Sequence, residues 1–286
     1  MFKFRIITFA ILISLLAGLS GCLKNSGPWT HGLAFDRVLI IVLENTDYSA
    51  ASADPYLSSL AAQGASFSNF RGNFHPSYAN YLAMVGGKYF GTVFDKQKDI
   101  DAPTIADLLE ARGLTWKNYA QDYPGNCFLD ASQGNYARKH VPFLSFKNIQ
   151  TSPARCANVV SADQFPIDVS EGKVPNYAFY SPNLINDAHD TDLATASSWL
   201  KGFLEPLLND EKFMERTLIE ITFDESKTYL NNHIYTVFLG PMVKPGFIET
   251  AKTSHYSVLR TFEENFGIGN LGNEDKEASP IQTIWK

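Results

Sequence analysis

The chain has 286 residues, of which 45% are hydrophobic, 19% charged and 13% aromatic, a balance that excludes a disordered chain, a coiled coil and a collagen-like repeat. Its length suits one large α/β domain with a self-sufficient core. The 24 basic and 30 acidic residues give a net charge of -6 spread along the chain, so composition supplies no polybasic surface for nucleic acid.

The N-terminus reads as an export signal over residues 1–21. Lys3 and Arg5 form a short basic region, Ile6 to Leu19 is apolar, and Leu19-Ser20-Gly21-Cys22 closes it with small residues before a cysteine. The apolar run of about 14 residues falls short of the roughly 18–20 that a spanning helix needs, which makes an uncleaved anchor the weaker alternative. The closing residues resemble the lipobox of bacterial lipoproteins. That resemblance implies lipidation of Cys22, a tether over residues 22–36 and a location on the bacterial cell envelope, with the folded domain in water. Removing Cys22 from three cysteines leaves Cys127 and Cys156, read as a disulfide in an exported chain, with two free thiols as the alternative.

Along the remainder, residues 37–286 form one domain. Val38 to Leu43 is a β-branched apolar run and reads as a strand buried on both faces. Asp54-Pro55 opens a helix that stops at Gly64, and Ala65 to Phe70 alternates as a strand. Pro103 to Gly113 reads as a helix and Thr115 to Ala120 as a strand. Residues 121–175 read as a loop-rich insertion near the site. Asn176 to Ser181 is a strand. Leu193 to Leu208 is a helix whose end Gly202 and Pro206 weaken. Thr217 to Phe223 and Ile234 to Leu239 are strands, and His255 to Phe266 is an amphipathic helix. The alternation predicts an α/β three-layer sandwich, a mainly parallel sheet flanked by helices on both faces.

Active sites of such sheets lie beyond the carboxyl ends of the strands. Glu44-Asn45 follows the first strand and Asp224-Glu225 a later one, together offering three carboxylates and an amide oxygen, hard donors suited to a single divalent cation. Each pair alone reads as readily as a cap or a solvated loop. Ser77, in the segment from Asn73 to Tyr81, sits at a helix N-cap, where backbone N–H groups and the helix dipole favour an anion such as phosphate.

Glu44-Asn45, His75-Pro76-Ser77 with Asn80-Tyr81, Pro182-Asn183-Leu184 through Asn186-Asp187 to His189-Asp190, and Thr222-Phe223-Asp224-Glu225 occur in order. The combination resembles the acid phosphatase and phospholipase C type phosphoesterases of the alkaline phosphatase superfamily, over about Arg37 to Gly269. His255-Tyr256-Ser257 with Thr261, Glu264 and Asn265 resembles the C-terminal segment of that family. The resemblance implies an alkaline phosphatase-like fold and a metal held by Glu44, Asn45, Ser77, Asp224 and Glu225, with Ser77 as nucleophile. A metal would lower the pKa of the serine hydroxyl and aim it at phosphorus. His189 is the candidate for contacting phosphate or protonating the leaving oxygen, Asp187 for orienting that histidine or assisting the metal. His75, Asn80 and Asp187 are expected substrate contacts. His233 and His255 are the candidates for a second metal, by analogy with two-metal relatives.

Val85-Gly86-Gly87-Lys88-Tyr89 lacks the first glycine and the Ser or Thr of a P-loop, and no G-x-S-x-G is present, which argues against nucleotide binding of that type and acyl transfer. The expected function is an exported, metal-dependent phosphatase that hydrolyses phosphomonoesters through a phosphoserine. The alternatives are a phospholipase C-like phosphodiesterase and a non-catalytic, solute-binding envelope lipoprotein.

Overall fold

The computed structural model of the protein describes Met1, residues 32–229 and residues 231–286. The expected signal and Cys22 lie outside the described residues. In chain order the strands of the main sheet are β1 (Arg37–Leu43), β2 (Ala65–Phe67), β3 (Trp116–Ala120), β4 (Val159–Ser161), β5 (Tyr177–Ser181), β6 (Thr217–Phe223), β7 (Thr236–Leu239) and β8 (Phe247–Glu249). The main helices are α1 (Pro55–Gln63), α2 (Ser77–Gly86), α3 (Ile105–Ala111), α4 (Gln164–Glu171), α5 (Leu193–Leu208) and α6 (His255–Phe266).

The eight strands lie in the order β8-β2-β7-β6-β1-β5-β3-β4. All neighbours run parallel except β7, which is antiparallel to both β6 and β2. The apolar run of β1 is central, and from Val38 on every residue of it is buried, as a strand covered on both faces requires. Helices α2, α3 and α6 cover one face, and α1, α4 and α5 the other. Strand β5 displays both packings through its alternation: Tyr177 and Phe179 face Phe143 on one side, while Tyr180 meets Phe203 on the other, ring centroids 4.5 Å apart.

Several expectations shift. The strand expected from Ala65 to Phe70 divides, because β2 pairs with β7 and β8 while Phe70–Arg71 leaves the sheet to pair with Thr253–Ser254. Pro206 does not end α5, which continues to Leu208. The insertion at 121–175 is more ordered than a loop: it supplies edge strand β4 and helix α4. Within it Cys127 and Cys156 are bonded, with Cα atoms 5.7 Å apart. The last residues assigned to the tether belong to the domain. Phe35 is fully buried against Phe262 and Phe266, and Asn265 Oδ1 accepts hydrogen bonds from the N–H groups of Ala34 and Phe35.

Candidate active site

Parallel pairing of β1 and β6 sets Leu43 opposite Phe223, so the residues after each strand emerge side by side at the carboxyl edge of the sheet. Asp224 N–H donates to Leu43 O at 2.9 Å, and Asn45 N–H donates to Asp224 Oδ1 at 3.3 Å. Asn45 adopts a positive φ of 39°, a conformation that asparagine tolerates better than most residues. Glu44 and Asp224 are fully buried, and Glu225 nearly so.

Helix α2 aims its first residue at this junction. Ser77 Oγ lies 3.0 Å from Glu44 Oε2, 3.2 Å from Glu225 Oε1 and 3.4 Å from Asn45 Oδ1. The N-cap is Pro76, and Ser77 is the first helical residue rather than the cap itself. Asn80 stands one turn behind and spends its amide on the loop. Its Oδ1 accepts from the N–H groups of Asn73 and Phe74, and its Nδ2 donates to Phe74 O, each at 2.9 Å. The amide thus shapes the approach to Ser77. His75 Nδ1 faces Glu225 Oε2 at 2.5 Å.

A second group of donors gathers on the other side of the Glu44 carboxylate. Tyr81 donates its hydroxyl to Glu44 Oε1 at 2.6 Å, and His140 Nε2 lies 3.2 Å from the same oxygen. The other nitrogen of His140, Nδ1, faces Asp187 Oδ2 at 3.1 Å. Asp187 Oδ1 accepts from His189 N–H at 2.8 Å, while the His189 ring is held by Asp190 Oδ1 at 2.6 Å. Asp187 therefore orients the His140 ring and the His189 backbone. Glu44, His140 and His189 bring ligand atoms within 4.8 Å of one another, a group able to hold a metal ion.

Neither His233 nor His255, the candidates for a second metal, belongs to this group. His233 stacks on Tyr48 at 4.1 Å with Nε2 against Ser68 O. His255 is buried with Nε2 2.8 Å from Asp224 O, and burial pushes it down to about 4, so it is neutral and donates there. The residues missed were His140 and Lys139. They sit in the single turn Arg138–His140 inside the insertion, and Lys139 Nζ reaches Asp95 Oδ2 at 2.8 Å and His189 Nε2 at 3.4 Å. No spacing relative to another histidine marks them in the sequence.

The electrostatics of the cluster suit a cation. Burial, then the neighbouring Asp224 charge, pushes Glu44 up to about 7; burial, then Glu44, pushes Glu225 up to about 8; burial pushes Asp187 up to about 7. Asp224 is driven well above its ordinary value by burial and by Glu225. Burial pushes His140 down to about 4. Asp224 Oδ2 is buried without a hydrogen-bond donor, while Asp187 Oδ2 and Glu225 Oε2 each face only an imidazole nitrogen, that of His140 and of His75. Such oxygens are costly in an apolar interior and are satisfied by a positive ion. Burial works against the charge of Lys139, but the nearby carboxylates, Glu44 foremost, outweigh it and hold its pKa above the ordinary value.

The fold is that of the alkaline phosphatase superfamily. It matches a protein of that superfamily from Vibrio parahaemolyticus with a TM-score of 0.58, 13% identity and coverage of 86% of this chain and 70% of that one. It matches a phosphonate monoester hydrolase from Silicibacter pomeroyi with the same TM-score and identity, over 87% of this chain and 78% of that one. A family model described as the Phosphoesterase family matches residues 42–269, and the chain belongs to that family. A probable acid phosphatase of Kluyveromyces lactis is 39% identical over 270 residues, 89% of this chain and 63% of that protein. An acid phosphatase of Aspergillus fumigatus is 36% identical over 89% of this chain and 60% of that protein. The chain thus spans under two thirds of the length of these fungal relatives. A phosphatidylinositol-3-phosphatase of Mycobacterium tuberculosis is 34% identical over 95% of this chain and 90% of that protein.

Proposed function

We propose that this chain is a divalent-metal-dependent phosphatase that hydrolyses phosphomonoesters with Ser77 as nucleophile and phosphoserine as intermediate. One observation carries the reading: Ser77 Oγ stands within 3.4 Å of Glu44, Asn45 and Glu225, donors from two neighbouring strand tips. The acid phosphatase and phosphatidylinositol-3-phosphatase relatives support the ester class.

Glu44, Asn45, Asp224 and Glu225 would hold the cation beside Ser77, and the unpartnered, buried Asp224 Oδ2 fits it. When bound, such an ion lowers the pKa of a neighbouring hydroxyl and offsets charge on the phosphoryl oxygens. The phosphoryl group binds at the head of α2, beside the Lys139 ammonium. Ser77 Oγ attacks phosphorus as the bond to the leaving oxygen breaks, and its proton passes to one of the carboxylates it touches. His189, partly exposed and next to Lys139, protonates the leaving oxygen. Water then attacks the phosphoserine as the bond from phosphorus to Ser77 Oγ breaks, His189 takes the water's proton, the carboxylate returns its proton to Oγ, and phosphate leaves.

Purified protein should release phosphate from p-nitrophenyl phosphate and lose this activity to a chelator. Ser77→Ala should lower turnover by at least about a thousandfold, roughly 4 kcal/mol of transition-state stabilisation. Acid quenching during turnover should trap phosphate on the peptide containing Ser77. Near-normal turnover by Ser77→Ala, or label on a histidine, overturns the reading, and faster hydrolysis of bis-p-nitrophenyl phosphate would move the substrate class to diesters.

Export and anchoring through a lipid on Cys22 complete the proposal, supported by the pattern from Lys3 to Cys22 and by the Cys127–Cys156 disulfide. No helix among the described residues is long and apolar enough to cross a membrane. Cys22→Ser should release active protein into the soluble fraction, and an intact mass without lipid on the parent would refute the anchor.

A further inference from the structure

The approach to Ser77 is flanked by large apolar side chains that the fold leaves in water. Val93 is 60% exposed, Phe94 73% and Tyr229 81%. Single exposed apolar residues need no explanation, but each of these neighbours a residue that contacts the turn carrying Ser77. Phe94 precedes Asp95, which is hydrogen-bonded to the N–H of Tyr78, the residue after Ser77. Tyr229 lies across the ring of His75, centroids 4.5 Å apart, and His75 faces Glu225. Two loops distant in sequence thus bring apolar groups to the same mouth.

Each loop pairs its aromatic residue with a lysine two positions away. Lys96 follows Phe94, Lys227 precedes Tyr229, both are exposed, and neither forms an ion pair among the described residues. Segment 88–98 carries three lysines, Lys88, Lys96 and Lys98, against one acid, Asp95, whose carboxylate is already taken by Lys139. Aromatic and aliphatic side chains beside free lysines are the chemistry of a lipid interface: the apolar groups enter the headgroup region while the ammonium groups meet lipid phosphates.

We propose that this collar docks the mouth on an anionic lipid surface, and that the substrate is an amphiphilic phosphate monoester whose phosphate reaches Ser77 while its tail stays in the bilayer. The substrate class rests on the phosphatase reading above; the docking surface does not.

Two measurements on the full chain separate these. Phe94→Trp places a reporter on the collar. Relative to the parent, its added emission should shift to the blue and be quenched by brominated lipid on vesicles of phosphatidylcholine mixed with phosphatidylserine. It should respond weakly to phosphatidylcholine alone. No shift overturns the docking surface, whatever the activity, and an equal response to both vesicles overturns the anionic preference. In the second, Val93→Ser/Phe94→Ser should lower hydrolysis of phosphatidic acid in such vesicles by about tenfold or more while leaving p-nitrophenyl phosphate within about twofold. A parallel fall on both substrates overturns the interfacial substrate. A parent inactive on p-nitrophenyl phosphate removes the phosphatase reading and leaves the fluorescence result to decide docking.

Discussion

The carboxylate of Asp95 accepts a hydrogen bond from the backbone N–H of Tyr78 at 3.1 Å, one residue past Ser77. Its other oxygen takes Lys139 Nζ at 2.8 Å. On the proposed mechanism these are two donors that a phosphoryl group beside Ser77 would use, so Asp95 competes with the substrate for them. Asp95→Asn should lower KM for p-nitrophenyl phosphate by about three- to tenfold with little change in kcat, the effect of removing one competing charge. Steady-state kinetics check this; a higher KM would make Asp95 a support of the site instead.

The strand-tip carboxylates should behave unlike Ser77, the proposed nucleophile. Asp224→Asn and Glu44→Gln remove donors for the cation, and part of their lost activity should return at high metal concentration, whereas that of Ser77→Ala should not. Glu44 and Glu225, pushed up to about 7 and about 8, hold protons that a cation must displace. Metal affinity should therefore fall as pH drops from about 8 to about 5, measurable by titrating chelated protein at several pH values.

Glu220 lies in β6 and faces the α2 and α6 side of the sheet, beside Ile40, Met84 and Phe262. Burial pushes it from 4.5 to about 8, so the folded protein favours its neutral form. Its contribution to stability is complete below about 4.5 and is lost as pH rises through about 8. In chelated protein Glu220→Gln should match the parent near pH 4 and exceed it by on the order of 3 kcal/mol above pH 8. Thermal melts across pH test this, and equal pH profiles for variant and parent would exclude it.

Asn80 distinguishes a clamp from a substrate contact. Asn80 is fully buried and makes three part-buried hydrogen bonds to Asn73 and Phe74, so Asn80→Ala should cost about 2–3 kcal/mol of stability. It should also lower kcat by displacing the loop ahead of Ser77. A raised KM at unchanged melting temperature would instead return Asn80 to the substrate.

What the residues disclose depends on how local the cause is. The strands Val38 to Leu43 and Thr217 to Phe223 are legible because burial on both faces demands continuous apolar runs, and the acids after them stand out because they end those runs abruptly. That the two tips are neighbours follows from the pairing of β1 with β6, which no local pattern encodes. His140 is illegible for the same reason. It reaches Glu44 because Arg138 anchors its turn, donating to Leu129 O, Leu144 O and Asp99 across the insertion. The split between Ala65–Phe67 and Phe70–Arg71 depends on partners that alternation does not name. Phe35 reads as tether in the sequence because the ring of Phe262 that covers it lies over two hundred positions on.

The hydrogen bond from Asn45 to Asp224 closes a gap of 179 positions. A chain growing from its N-terminus displays Glu44 and Ser77 early, yet it has nowhere to seat a cation until β6 emerges and slides in beside β1. On the proposed reading, a copy in which β6 has not paired with β1 lacks half of the donor set around Ser77.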